Sequence, residues 1–312
     1  VKARNDQGKP SYGVAGADER SFTTDWLTDR AIEFVAAHAE QPFCFMLSLP
    51  DPHGPDTVRP PYDTMFEGVE ASPPPSFAVN PAAAPAWAQP QGRFQPMGPY
   101  FGMVKCIDDN VGRLLAALEE QGVLDDTVVV FTADHGDLRG EHHRQNKGVP
   151  FEASAKIPFL VRAPGLVPAG GRVDAALGTV DFLPTMMALM EAPTAGLEQG
   201  RDASALLRGA PPGDWQDVTF LRQAGRKGEG WLAAVNDRYK LVLAPNEEPW
   251  LFDLAQDPEE LVNALDGLPD GAGPHPAASE LARALLRYAA EVGDPYAELP
   301  KLRAELEALA GG

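Results

Sequence analysis

The run Thr127-Val-Val-Val-Phe-Thr-Ala133 constrains the fold more than any other segment. It is continuous, apolar and rich in β-branched residues, which reads as a central strand. Such a strand needs neighbours in a sheet and helices to cover it, and the flanking segments supply both. From Ser21 to His38, Leu27, Ala31, Phe34, Val35 and His38 recur at three- and four-residue steps, which predicts a helix that Thr23 or Thr24 can cap. Phe43-Cys-Phe-Met-Leu-Ser-Leu49, stopped by Pro50, reads as a second buried strand. Val104, Ile107, Val111, Leu114, Leu115 and Leu118 form one apolar stripe on a helix that starts near Tyr100 and ends at Gly122. Ile157 to Val161 reads as a further strand, and Val180 to Met190 as a helix interrupted early by Pro184. Strand and helix in alternation predict an α/β architecture.

After about Arg208 the texture changes. Val218 to Leu221, Trp231 to Val235, Tyr239 to Leu243 and Trp250 to Phe252 are short apolar runs separated by turn residues such as Asn236-Asp237 and Pro245-Asn246, which predicts a small antiparallel sheet. Helical runs at Ala277 to Val292 and Leu302 to Leu309 close the chain. The expected organisation is a main α/β unit over residues 1–210 and a small α+β subdomain over 211–312. The Pro-, Ala- and Gly-rich segment from Pro50 to Gln95 is too long for an ordinary connection and is expected to shape a pocket, with Arg59, Tyr62 and Trp87 as candidate lining residues.

The chain has 312 residues, 44% of them hydrophobic, enough for a sizeable core. Its formal net charge of −19 argues against nucleic acid and against an anionic membrane surface. It does not exclude a small anionic substrate, because a metal or local cation can reverse the sign within a cleft. No apolar run approaches the ~18 residues that span a bilayer. Cys44 and Cys106 both sit in apolar runs and are expected to be buried free thiols. The first residue is Val1 and no signal peptide follows it, so the chain is expected to be a processed or partial frame, with its compartment and oligomeric state open.

The chemistry concentrates after the Thr127 strand, in Asp134-His-Gly-Asp-Leu-Arg-Gly-Glu-His-His-Arg-Gln-Asn-Lys-Gly148. Ligands of open α/β sheets collect beyond the carboxyl ends of strands. Asp134 offers a hard oxygen and His135 a neutral nitrogen to a divalent cation, while Gly136 lets the backbone turn behind them. The same tripeptide is also compatible with a plain turn whose Asp caps backbone amides. Ser48-Leu-Pro-Asp-Pro-His53 follows the other predicted strand, and its prolines stiffen the backbone around His53. Asp108, Asp109 and Arg113 read as surface pairing on the Tyr100 helix, with Arg113 four residues after Asp109.

Taken in order, these blocks resemble the sulfatase family. They are Ser48 to His53, a long loop, Val104-Lys-Cys-Ile-Asp-Asp-Asn-Val-Gly-Arg113, and Thr127 to Gly136. Gly140-Glu-His142, Lys147-Gly148, Phe151-Glu152, Ile157 to Arg162, Pro164-Gly165 and Asp181 to Thr185 follow in the same pattern. Lys240-Leu-Val, Trp250 to Leu254 and Asp257 to Glu260 resemble the family's C-terminal subdomain, so the likeness runs from about Asp25 to Asn263. It implies an alkaline-phosphatase-like fold, a central mixed sheet flanked by helices, with a smaller C-terminal antiparallel sheet. It implies hydrolysis of a small-molecule or saccharide sulfate ester beside calcium, with a formylglycine nucleophile. By position, Asp134 and His135 resemble metal ligands and Lys147 the lysine that grips the sulfate. His53 resembles a histidine at the sulfate or the bridging oxygen, and Arg139 and His142 are candidates to meet the organic part. The family's Cys-or-Ser, x, Pro-or-Ala, x, Arg motif and first aspartate pair have no counterpart here. The expectation is therefore the C-terminal part of a sulfatase, lacking its nucleophile segment and inactive alone. Phosphoester or phosphonate hydrolysis by the same superfamily, and a non-catalytic module, are the alternatives.

Overall fold

The computed structural model describes residues 2–4, 10–11, 13–78, 84–90, 92–194, 196–223, 230–269 and 273–311. Val1 and parts of the Pro50 to Gln95 segment (residues 79–83 and 91) thus lie outside the described residues. The chain folds as two compact units, Val1–Ser72 with Gln95–Val129, and Pro73–Phe94 with Val130–Gly312.

In the first unit, strands β1 (Ala3–Arg4) and β2 (Pro10–Ser11) pair antiparallel beside helices α1 (Thr23–His38), α2 (Tyr62–Met65) and α3 (Gly98–Glu120). The apolar centre is Phe22, Val58, Tyr62, Met103 and Cys106. Helix α1 also buries Thr24, Asp25 and Thr28, and buried polar groups need partners. Arg59 supplies a bidentate pair to Asp25, with Nε to Oδ2 and Nη2 to Oδ1 both at 2.8 Å, and Asn110 adds a third donor at 3.1 Å. Asp51 accepts from Lys2 and Thr24. Thr24 therefore does not cap α1, whose first residue is preceded by Phe22 with no side-chain cap. Arg59 and Tyr62 are core residues rather than pocket lining. Tyr62 Oη donates to Asp109 at 2.8 Å, and a Cβ on Gly102 would meet the Tyr62 carbonyl oxygen at 2.4 Å, so only glycine lets α2 and α3 approach this closely. On α3, Lys105 rather than Arg113 takes Asp108 and Asp109, at 3.0 and 2.6 Å, while Arg113 reaches Asp29 on α1.

Two further expectations fail in this unit. Phe43 to Leu49 forms no strand among the described residues. Phe43 and Phe45 instead pack against Phe34 of α1, with ring centroids 5.8 and 4.6 Å away, and Met46 is 87% exposed. An apolar run is a strand only where a ladder partner is present, and periodicity does not supply one. Cys44, on that run, is exposed, whereas Cys106 is buried, and both are free.

The second unit contains β3 (Val129–Thr132), which starts at the boundary, paired with β4 (Phe159–Arg162). Between them lies the short helix α4 (Glu152–Ala155), and α5 (Phe182–Leu189) and α6 (Ser204–Leu207) follow. Strands β5 (Thr219–Gln223), β6 (Trp231–Val235), β7 (Tyr239–Leu243) and β8 (Trp250–Asp253) form an antiparallel sheet in sequential order, with Leu241 opposite Leu251. Period-two alternation gives each strand two faces. Leu232, Ala234, Leu241, Leu243 and Leu251 face helices α7 (Pro276–Val292) and α8 (Pro300–Ala310), packing with Leu281, Leu285, Leu302 and Leu306. Trp231, Ala233, Val242 and Phe252 pack on the opposite side with Leu138, Val149 and Phe151. Burial on both faces explains why β6 and β7 are almost wholly apolar. Helix α7 is bounded by His275, which accepts the Ala277 N–H, by Pro276 at its first position and by left-handed Gly293 (φ 65°). No helix among the described residues is long and apolar enough to cross a membrane.

Candidate active site

Strand β3 ends at Thr132, and the segment 133–155 that follows is fastened to the free face of the C-terminal sheet. Leu138 is its fully buried anchor, and the Leu138 N–H donates to the Asn146 carbonyl at 2.8 Å, closing a loop between them. The loop is tightly bent. Arg139, His142, His143 and Asn146 all have positive φ, between 49° and 62°, as does Gly140 at 111°. Several non-glycine residues held left-handed in one loop mark a backbone fixed by its surroundings, a property concentrated at functional sites.

Asp134 and His135 stand at the carboxyl end of β3. The Asp134 side chain is 85% exposed and lies 3.5 Å from His135 Nε2. His135 Nδ1 is 2.7 Å from the Gly136 carbonyl oxygen. A carbonyl only accepts, so Nδ1 carries the proton of the neutral ring and Nε2 keeps its lone pair for a cation. This pair fits one side of a hard-cation site. Calcium takes about six to eight oxygens, and among the described residues no three His, Cys, Asp or Glu converge to complete a set. Gly136 is required for a reason other than a sharp turn: a Cβ there would sit 2.0 Å from the Ala153 carbonyl oxygen. The Gly136 N–H donates to the Ser154 carbonyl at 2.9 Å.

Lys147 is exposed on the same loop, and no hydrogen bond or ion pair engages it among the described residues. His142 is half-buried with its ring stacked on Phe151, centroids 3.6 Å apart and 3° between planes. Burial, ahead of the neighbouring His143, Lys240 and Arg144 charges, drops its pKa to about 4, so it is a neutral ring at pH 7. Arg139 is buried with Nη1 3.8 Å from Asp137. His53 belongs to the first unit, exposed, with Nδ1 2.8 Å from the Gly54 carbonyl, so it can give a proton from Nε2 only as the cation. Cys106 is no nucleophile: burial, then Asp25, lifts its thiol to about 12. Trp87, expected to line a pocket, packs on Phe151 and Trp250 at 5.1 and 6.2 Å.

Sequence reasoning missed the group beneath this loop. Lys240 is fully buried on β7, and its three ammonium protons go to the Pro150 carbonyl (2.7 Å), Glu152 (2.6 Å) and Glu260 (2.8 Å). Burial pushes the Glu152 carboxyl up, but Lys240 outweighs it and the net shift is downward. Glu260, more deeply buried, stays above the usual range, so Glu152 is the carboxylate that first balances the Lys240 charge. The signal was present: a lysine inside Tyr239-Lys-Leu-Val-Leu243 can be buried only if an acid meets it. Beside this group lies a cavity of about 510 Å³ whose lining includes Glu141, Glu152, Lys156 and Glu259. Burial, reinforced by Glu259 and Glu260, raises Glu141 to about 7. So acidic a cavity is a poor host for a sulfate.

The Sulfatase family model matches residues 5–192. The chain belongs to the sulfatase family. A second model, N-sulphoglucosamine sulphohydrolase, C-terminal, matches residues 140–271. Among curated relatives, an arylsulfatase of Clostridium perfringens is 27% identical over 272 residues, covering 80% of this chain and 55% of its own length. Among solved structures, a phosphonate monoester hydrolase of Silicibacter pomeroyi superposes with a TM-score of 0.75 at 25% identity, over 92% of this chain and 64% of that one. A structure in complex with its substrate D-glucosamine-2-N,6-O-disulfate gives 0.74 at 20% identity, over 88% of this chain and 71% of that one. The fold is therefore the expected alkaline-phosphatase-like α/β fold, a mixed central sheet flanked by helices with a smaller C-terminal antiparallel sheet. The chain spans about half the length of the curated relatives it matches.

These matches correct one expectation. A C-terminal part of a sulfatase, starting beyond the nucleophile segment and inactive alone, was inferred from absent motifs. The sulfatase match begins at residue 5, not part-way along the chain, and passes without a break into the C-terminal match. Metal dependence stands at the level of the sulfatase family.

Proposed function

We propose that the protein hydrolyses the sulfate ester of a saccharide, with calcium as its metal. The observation that carries this reading is the Asp134–His135 pair at the end of β3, on one loop with the exposed Lys147, in a chain of the sulfatase family. Asp134 and His135 Nε2 would hold the cation, which polarises a sulfate oxygen when bound. Lys147, with no competing acid among the described residues, supplies a fixed positive charge to the sulfate oxygens. Arg139 and His142 meet the organic part, His142 as a neutral hydrogen-bonding ring. The saccharide preference is supported by the likeness to the structure bound to a glucosamine disulfate and by the N-sulphoglucosamine sulphohydrolase match.

A second reading, phosphonate ester hydrolysis, is favoured by the superposition on the Silicibacter pomeroyi enzyme. Turnover of a glucosamine sulfate, 4-nitrophenyl sulfate and a phosphonate monoester, each with calcium, separates the two. The proposal expects the highest kcat/KM on the sulfated sugar. A phosphonate preferred over both sulfates would replace it with the second reading.

A further inference from the structure

The two arms of one loop carry the groups assigned above, and one residue joins them. The Ser154 carbonyl accepts the Gly136 N–H at 2.9 Å, directly after Asp134 and His135. Its side-chain Oγ accepts the Gly148 N–H at 3.1 Å, directly after Lys147. Ser154 is 4% exposed, on α4. That short helix is held from below. Lys240 takes the Glu152 carboxylate and the Pro150 carbonyl, and the Glu152 N–H donates to Glu260 Oε2 at 2.5 Å. The Trp231 indole N–H donates to the Gly148 carbonyl at 3.2 Å, so the residue after Lys147 is held at both its N–H and its carbonyl.

We infer that Ser154 is a positioning residue that sets Lys147 against the Asp134–His135 pair, locked in place by Lys240 of the C-terminal sheet. This rests on the assignment of Asp134, His135 and Lys147 to metal and sulfate. None of Ser154, Lys240 or Trp231 touches the substrate; Ser154 and Trp231 act through backbone groups of Gly136 and Gly148, and Lys240 acts one step further back, through Pro150 and Glu152. Lys147 is a long, exposed side chain, and only its backbone is fixed. The spacing between its charge and the metal pair is therefore decided where the two arms of the loop are tied together. A pair of groups that must meet one small anion tolerates little error in that spacing.

The test is the affinity for inorganic sulfate, measured by isothermal titration calorimetry with calcium present, alongside thermal melting. Ser154→Ala and Trp231→Phe remove one hydrogen bond each and keep the packing, so both should fold. Each is expected to weaken sulfate binding about tenfold, the scale of outer-shell contacts, while Ser154→Thr, which keeps the hydroxyl, stays within about twofold of the parent. Lys147→Ala is the control for the underlying assignment. Unchanged sulfate affinity in Ser154→Ala and Trp231→Phe, with Lys147→Ala defective, overturns the positioning role alone. So does a fall in melting temperature without a change in affinity. Absence of sulfate binding in the parent, or binding untouched by Lys147→Ala, overturns the assignment and this inference with it.

Discussion

Glu141 and His142 are adjacent on the site loop, yet burial moves them in opposite directions along the pH scale. Glu141 rises from 4.5 to about 7, so the folded chain keeps a proton that the unfolded chain loses. Its contribution to stability is full below about pH 4.5 and is lost as pH rises to about 7. His142 falls from 6.5 to about 4, so its contribution is present above about pH 6.5 and is lost as pH falls through 4. The two oppose one another across the shared interval. Glu141→Gln is therefore expected to leave stability climbing with pH between about 4.5 and 6.5, and His142→Gln to leave it declining over the same interval. Denaturant midpoints at several pH values check both; parallel pH profiles for the two variants would refute the burial argument. At the same scale, Lys147→Ala should cost roughly a hundredfold in kcat/KM on a sulfate ester, as loss of one charge-stabilising donor does, with melting temperature unchanged because the side chain is exposed.

At the scale of elements, the C-terminal sheet supports the site loop through a buried charge as well as through packing. Removing one partner of a buried ion pair leaves the others uncompensated, so Lys240→Met should cost roughly 3–5 kcal/mol. Leu281→Ala, on the opposite side of the sheet, empties a fully packed position and should cost roughly 2–5 kcal/mol. Chemical denaturation measures each. What the sequence disclosed follows the range of the interactions involved. Strands β6 and β7 were legible residue for residue, because burial on both faces writes itself as unbroken apolar runs. Helix α7 was legible within a residue, because its stripe and Gly293 are local signals. Phe43 to Leu49 was misread because strand identity depends on a distant partner. Asp134, His135 and Lys147 could be picked out as candidates from their order in the chain. Ser154 and Trp231 could not, since their contacts span six and eighty-three residues, and Lys240 signalled a buried acid partner without identifying it. Arg59 looked available from sequence, but Asp25, thirty-four residues away, occupies its guanidinium.

At the scale of the whole molecule, a net charge of −19 coexists with apolar surface on the paired strands and α5. Phe131, Phe159, Leu160, Phe182 and Leu183 are each between 37% and 64% exposed. Apolar groups clustered in this way bind amphiphilic dyes. The chain is expected to enhance 1-anilinonaphthalene-8-sulfonate fluorescence while retaining a cooperative thermal transition; no enhancement would show that this surface is covered in solution. The charge also bears on the substrate. An acidic molecule repels an anionic ester at long range, so the site must reverse the sign locally. Asp134 and His135 can do so only by holding a cation, and Lys147 adds its own charge. The most direct measurement is kcat/KM for a sulfate ester, with and without calcium, in the parent and in Asp134→Ala. Turnover in the parent is expected to require calcium and to fall at least about a hundredfold in Asp134→Ala. Turnover indifferent both to calcium and to the loss of Asp134 would remove the metal-assisted reading.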